Sequence, residues 1–236
     1  MCISDKAEAP GIINRSLKTT IKVFCIVFVF GMAFAYIESA VVVYLRAIFC
    51  PDGFTFPITM FDLSPLGKKL LLTEIGREAA TIVLIFTGSW LFGQNRRQRF
   101  AYFMVIFAVW DIFYYVWLKV LLDWPASIMN WDILFLIPTT WASAVLYPVL
   151  ISITLLVFAA VILYRDAYGK TIKVTLTDWF AFIIAGIIIV VSFCTPGPHV
   201  TELDYESYFY WPLFAAGLLL AIGMFIKCLM KSKSQQ

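Results

Sequence analysis

Charge is scarce in this chain. Asp, Glu, Lys and Arg together make up 14% of its 236 residues, against about 25% in ordinary soluble domains. Histidine occurs once, at His199, so no His pair exists to ligate haem or to build a His-rich zinc site. Nucleophilic Ser–His chemistry lacks support for the same reason, because that histidine has no Ser or Cys beside it in a recognisable arrangement. Low-complexity tracts are missing, and the only internal echo is Trp110-Asp111-Ile112 against Trp131-Asp132-Ile133. Two tripeptides do not make a repeat.

Apolar surface is what the chain has in excess. Hydrophobic residues reach 62%, with 22 Phe, 11 Tyr and 8 Trp, more than a water-soluble fold of this size can hide. The class is an integral membrane protein with the lipid bilayer as its first partner. That excludes a nucleic-acid binder, a cytosolic dinucleotide enzyme and a secreted disulfide scaffold. At about 20–25 residues per span, the length allows roughly five to seven spans and no separate soluble domain. Long apolar runs lie near 21–45, 69–93, 99–122, 141–164, 178–195 and 212–230. They predict an all-α, polytopic bundle of about six helices forming one transmembrane domain over 1–236. Residues 133–138 are apolar, too short to span and end in Pro138, which fits either a re-entrant segment near 132–140 or the start of a Pro-kinked fourth helix.

Basic residues set the orientation, since Lys and Arg flanking a span are retained on the cytoplasmic side. Lys6, Arg15, Lys18 and Lys22 precede the first run, and Arg96, Arg97 and Arg99 part the second from the third. Arg165, Lys170 and Lys173 part the fourth from the fifth, and Lys227, Lys231 and Lys233 close the chain. These are 13 of the 18 basic residues, all on one side of a six-span arrangement. Both termini are therefore expected in the cytoplasm and the protein in the cytoplasmic membrane. Removal of the first run as a signal peptide, cut near Ala33-Phe34-Ala35, would leave five spans and break this alternation.

Ionisable residues inside the runs carry the functional argument, because a charge in hydrocarbon is costly unless it faces protein or water. They are Glu38, Glu74, Arg77, Glu78 and Asp111. Counted from the outer helix ends, Glu38 lies about 10 Å deep, Glu74 and Glu78 about 8 and 13 Å, and Asp111 about 12–16 Å. Glu74, Arg77 and Glu78 share a helix face at i, i+3, i+4, as do Asp111, Tyr114 and Tyr115. Arg46, eight residues beyond Glu38, lies roughly on the Glu38 face and can reach down to a carboxylate. Three helices with acids at similar depth turn them inward most economically, enclosing an outward-facing acidic pocket.

The excess of acid over base favours a proton, a cation or a cationic small molecule. Oxygen-only ligation by Glu38, Glu74, Glu78 and Asp111 would suit Mg, Ca or Mn, and no organic cofactor is expected. A rival reading pairs Asp111 with Asp132 as an intramembrane aspartyl hydrolase. Another leaves the acids as register-fixing ion pairs in a non-catalytic anchor subunit of a larger membrane complex. The outer segment His199, Glu202, Asp204, Glu206 reads as a solvated acidic loop. Trp124, Trp131, Trp141, Tyr205, Tyr208, Tyr210 and Trp211 read as an interfacial belt, able to form a cation–π vestibule around an acidic mouth. Cys50 and Cys194 are the two cysteines placed at the outer surface, either bridged across the pocket mouth or free on separate helices.

The strings Tyr36-Ile37-Glu38, Glu74-Ile75-Gly76-Arg77-Glu78-Ala79-Ala80-Thr81, Trp110-Asp111-Ile112-Phe113-Tyr114-Tyr115 and Trp131-Asp132-Ile133-Leu134-Phe135-Leu136-Ile137-Pro138 resemble those of an uncharacterised family of prokaryotic multi-pass membrane proteins. The resemblance covers about residues 36–150 and implies a shared fold without a role. The six-span layout with inside termini is also similar, in topology alone, to the substrate-binding subunits of vitamin uptake transporters.

Overall fold

The computed structural model describes residues 10–51, 53–58 and 64–233, with side chains described for 16–51, 53–58 and 64–232. Cys2 and Lys6 lie outside the described residues. Six α-helices follow one another: α1 Pro10–Phe49, α2 Pro65–Phe92, α3 Arg96–Leu122, α4 Leu146–Ala167, α5 Leu176–Cys194 and α6 Trp211–Lys233. A two-stranded antiparallel hairpin, β1 Trp131–Phe135 with β2 Trp141–Ala144, joins α3 to α4.

Among the described residues, five helical stretches are long and apolar enough to cross a membrane: Ser16–Phe49, Arg96–Leu122, Leu146–Ala167, Leu176–His199 and Trp211–Ser232. Helix α2 is the exception. Its 28 residues suffice in length, but Lys68, Lys69, Glu74, Arg77 and Glu78 crowd its first half. Large apolar side chains point out of the bundle on every side, Leu91 at 82% and Leu219 at 67% exposure among them, as lipid-facing surfaces require.

Local signals explain where the helices begin and end. Ser64 caps α2 by accepting from the Gly67 N–H at 3.0 Å, with Pro65 at the first helical position, where its missing N–H costs nothing. Asn95 caps α3 in the same way through Gln98, and Thr175 with Asp178 forms a reciprocal capping box on α5 that satisfies two otherwise orphaned N–H groups. Helix α3 stops at Asp123, which adopts a left-handed conformation at φ 53°.

Helix directions follow from cross-contacts. Ser39 donates to the Tyr114 carbonyl at 3.1 Å, and a Cβ on Gly31 would meet Val109 Cγ1 at 2.9 Å, so α1 and α3 run parallel in close contact. Phe30 meets Phe92 while Glu38 meets Arg77, which makes α2 antiparallel to α1. Asp111 with Ser152 and Arg97 with Asp166 set α4 antiparallel to α3. Phe193 with Phe214 and Asp178 with Lys227 do the same for α5 and α6. Gly217 lets α6 seat on the Ala185 carbonyl of α5, because a Cβ there would sit 3.0 Å from that oxygen. Short connections thus gather Arg97, Arg165, Lys170, Lys173 and Lys227 at one end of the bundle, and the hairpin closes the other.

Two expectations need correction. The fourth apolar run, expected to be helical from residue 141, begins as strand: Trp141–Ala144 pairs with 131–135 and the helix starts only at Leu146. The reason is a local preference the apolar count ignores, since Trp, Ile and Phe in 131–135 favour a pleated partner and Pro138 blocks helix through the turn. The segment near 132–140 is accordingly a β-hairpin and not the start of the fourth helix, so the fold is helical with one small sheet. Cys50 and Cys194 are free thiols, one just past the end of α1 and the other ending α5.

Candidate functional site

A cavity of about 1210 Å³ lies among all six helices and the hairpin. Glu38, Arg46, Glu74, Arg77, Glu78, Asp111, Tyr114, Tyr115 and Asp132 all line it. They gather toward the hairpin end of the bundle. The remaining wall is largely apolar, built by Phe103 and Phe107 of α3, Leu155 of α4, Phe182 and Ile189 of α5, and Phe225 of α6. Arg96, Arg97 and Lys170 line the opposite, basic end.

The polar groups form three knots and one isolated contact. In the first knot the Arg77 guanidinium ion-pairs with both Glu38 and Glu74, and Thr81 donates to Glu38. The Glu38 side chain is only 4% exposed, so burial demands this double satisfaction. Arg77 and Thr81 are presented together because they are one turn apart, the Thr81 hydroxyl also bonding the Arg77 carbonyl at 3.0 Å.

Arg46 anchors the second knot. Its Nη2 donates to Asp132 Oδ1 at 3.2 Å, and its guanidinium stacks on the rings of Phe54 and Trp124 at 4.0 and 3.8 Å. Two aromatic faces and a carboxylate fix the planar cation in one orientation. Tyr114 lies beside Asp132. In the third knot, Asp111 accepts from Ser152 of α4 at 2.7 Å. Tyr115 is buried against Tyr114 and Trp124.

Glu78 stands apart from the other acids. Its Oε2 accepts the Leu136 backbone N–H at 2.8 Å, which places the hairpin tip beside the middle of α2. Backbone that enters a helical bundle without helix must have its N–H groups satisfied by protein, and Glu78 supplies that partner.

Arg46 reaches a carboxylate, as its position beyond Glu38 allows, and that carboxylate is Asp132 of the hairpin. Arg77 binds Glu38 and Glu74 and leaves Glu78 to the hairpin, and Asp111 turns toward α4. Among the described residues no three of His, Cys, Asp and Glu come together as a metal site. His199 is occupied by Glu202 at 2.8 Å and lies flat on Tyr208. Its hydrogen bond, with that from Tyr208, holds the Glu202 carboxyl below its ordinary range.

Apart from Glu38 Oε2, which Arg77 ion-pairs, four buried polar atoms on cavity-lining residues have no hydrogen-bond partner among the described residues: Asp132 Oδ2, Arg46 Nη1, Trp110 Nε1 and Trp141 Nε1. Native interiors rarely leave such atoms unpaired. Phe54, Thr81, Ser152 and the Leu136 N–H were not singled out from the sequence as site groups, whereas Trp124 was placed in the aromatic belt around the mouth. Thr81 had a signal, one helical turn from Arg77; Ser152 and Leu136 had none, because their roles arise from tertiary contact alone. Comparison with family models, curated proteins and solved structures gives no match, so function is argued from this geometry.

Proposed function

We propose that the protein is a multi-pass protein of the cytoplasmic membrane that binds, and in doing so moves or presents, a cationic amphipathic small molecule. The observation that carries this reading is the division of one cavity into a polar end and an apolar length. Five carboxylates (Glu38, Glu74, Glu78, Asp111, Asp132) face two guanidinium groups (Arg46, Arg77) and the exposed Lys68 ammonium at the polar end, an excess of acid that favours a positive head group. The apolar length of Phe103, Phe107, Leu155, Phe182, Ile189 and Phe225 suits a hydrocarbon body. A volume of 1210 Å³ exceeds the roughly 300–1,000 Å³ of ordinary small-molecule pockets. Asp132 Oδ2 would take the head group's charge or donor, and Trp110 and Trp141 Nε1 would meet its acceptor atoms.

The alternatives fit the contacts less well. An aspartyl dyad shares one proton between two carboxyls, whereas Asp132 is held by Arg46 and Asp111 by Ser152. Pure register-fixing would leave no reason for four unpaired buried atoms around a large cavity. In the membrane, α2 completes a six-span arrangement with both termini in the cytoplasm, which would place the hairpin and the polar end of the cavity toward the outside.

The test is a binding titration of protein in nanodiscs with dodecyltrimethylammonium, read by tryptophan fluorescence. Saturable binding that falls at least tenfold in Asp132→Asn and Glu74→Gln, and is unchanged in Glu202→Gln, is expected. Equal binding by all four proteins would overturn the proposal.

A further inference from the structure

A second polar feature lies outside the cavity, at the basic end of the bundle. Arg165, in the last turn of α4, is 9% exposed, and its Nε and Nη2 are buried without any hydrogen-bond partner. A guanidinium is always charged and presents donors in a fixed fork, so leaving two of them unmet beside hydrocarbon is expensive. The described acids at this end of the bundle are taken. Asp166 bonds Arg97, Gln98 and Asn95 at 3.0, 2.8 and 3.2 Å, and Asp178 bonds Lys227 and Thr175.

Arg165 instead lines a pocket of about 360 Å³ with Val161 and Tyr164 of α4 and Ile226, Leu229 and Met230 of α6. The two helices touch where the Phe158 and Phe225 rings stack at 4.0 Å. Seven residues on, about 10 Å along α4, the pocket opens between them. Tyr164, Ile226 and Met230 are half or more exposed and form an apolar wall on the outside of the bundle. An unpaired buried cation at a helix end, above an apolar groove on the lipid-facing side, has the chemistry of a lipid-headgroup site.

We infer that the α4–α6 groove is a binding site for an anionic phospholipid, its phosphate held by the Arg165 fork and its acyl chain laid along Val161, Ile226 and Met230. The groove's apolar wall selects a lipid over a free anion, and the absence of any carboxylate on it selects an anionic over a zwitterionic head group. This inference is independent of the cavity reading.

The experiment is native mass spectrometry of the detergent-solubilised full chain with phosphatidylglycerol or phosphatidylcholine added. Half-occupancy by phosphatidylglycerol is expected at a tenfold or lower concentration, a preference that Arg165→Gln reduces to within twofold and Arg165→Lys retains in part. Should Arg165→Gln fail to fold by circular dichroism, Met230→Trp tests the same site by filling the groove with Arg165 intact, and should also abolish the preference. Equal binding of the two lipids by the wild type would overturn the inference. So would an unchanged preference in the variants, or displacement of phosphatidylglycerol by 10 mM inorganic phosphate, which would mark a small-anion site.

Discussion

Replacing Arg77 by Met removes the cation that joins Glu38 to Glu74 while keeping most of the side chain's length. The cost is set by the groups left behind. Glu38 keeps a Thr81 hydrogen bond but has a side chain only 4% exposed, and Glu74, at 16%, retains some access. Removing one partner of a buried pair costs about 3–5 kcal/mol, because the remaining charge is stranded. Arg77 itself is 24% exposed, which places the expected loss near the lower bound, about 3 kcal/mol. Glu38→Gln added to Arg77→Met deletes the stranded charge and keeps an acceptor for Thr81, so the double variant should recover about 1.5 kcal/mol or more, a coupling within the range for residues in one network. Reversible unfolding in mixed micelles by increasing SDS fraction, followed by tryptophan fluorescence, measures both quantities. A loss under 1 kcal/mol for Arg77→Met, or simple additivity in the double variant, would refute the assignment of Arg77 as the buried counter-ion.

Glu78→Ala should cost about 1–3 kcal/mol by orphaning the Leu136 N–H, whereas Glu78→Gln, which keeps an acceptor, should cost less than half as much; equal losses in the same unfolding assay would dissociate Glu78 from the hairpin. Gly217→Leu should destabilise by about 1–3 kcal/mol through overpacking, since even a Cβ would meet Ile189 Cγ1 at 2.8 Å; a neutral result would mean that α5 and α6 are not in close contact. Reporter fusions after Gln94 and Asp166 should read cytoplasmic and one at His199 external, and any reversal breaks the six-span arrangement.

Hydrophobic runs made the helices legible, because in a chain this apolar length and polarity alone separate spans from connections. They failed at Trp141–Ala144, where an apolar stretch is strand: apolarity marks burial, and only pairing with residues 131–135 decides its geometry. The scarcity of charge made the site residues visible as well. Glu74 and Arg77 share a face of one helix by periodicity, and similar depth sets Glu38 of the neighbouring helix level with them. Partners that depend on how connections fold were out of reach. Nothing in the spacing of Asp132 and Arg46, 86 residues apart, indicates that a hairpin carries one to the other. Trp124 reads as one member of an aromatic belt, and Phe54 carries no signal, until both are seen stacked on the same guanidinium. Ser152 is one hydroxyl among many on apolar helices, and only the antiparallel packing of α3 on α4 selects it.

The division of the cavity into an acidic end and an apolar length is tested most directly by comparing two ligands that differ in head-group charge alone. Dodecylamine, protonated at pH 7, and dodecanol share a chain that would lie along Phe103, Phe107 and Phe225. Their dissociation constants, measured in nanodiscs with wild-type protein and with Asp132→Asn, isolate the contribution of the carboxylates. A preference of at least tenfold for the amine, about 1.4 kcal/mol, that shrinks to threefold or less in the variant is the predicted result. Equal affinity of the wild type for amine and alcohol would contradict a site built for a cationic head group.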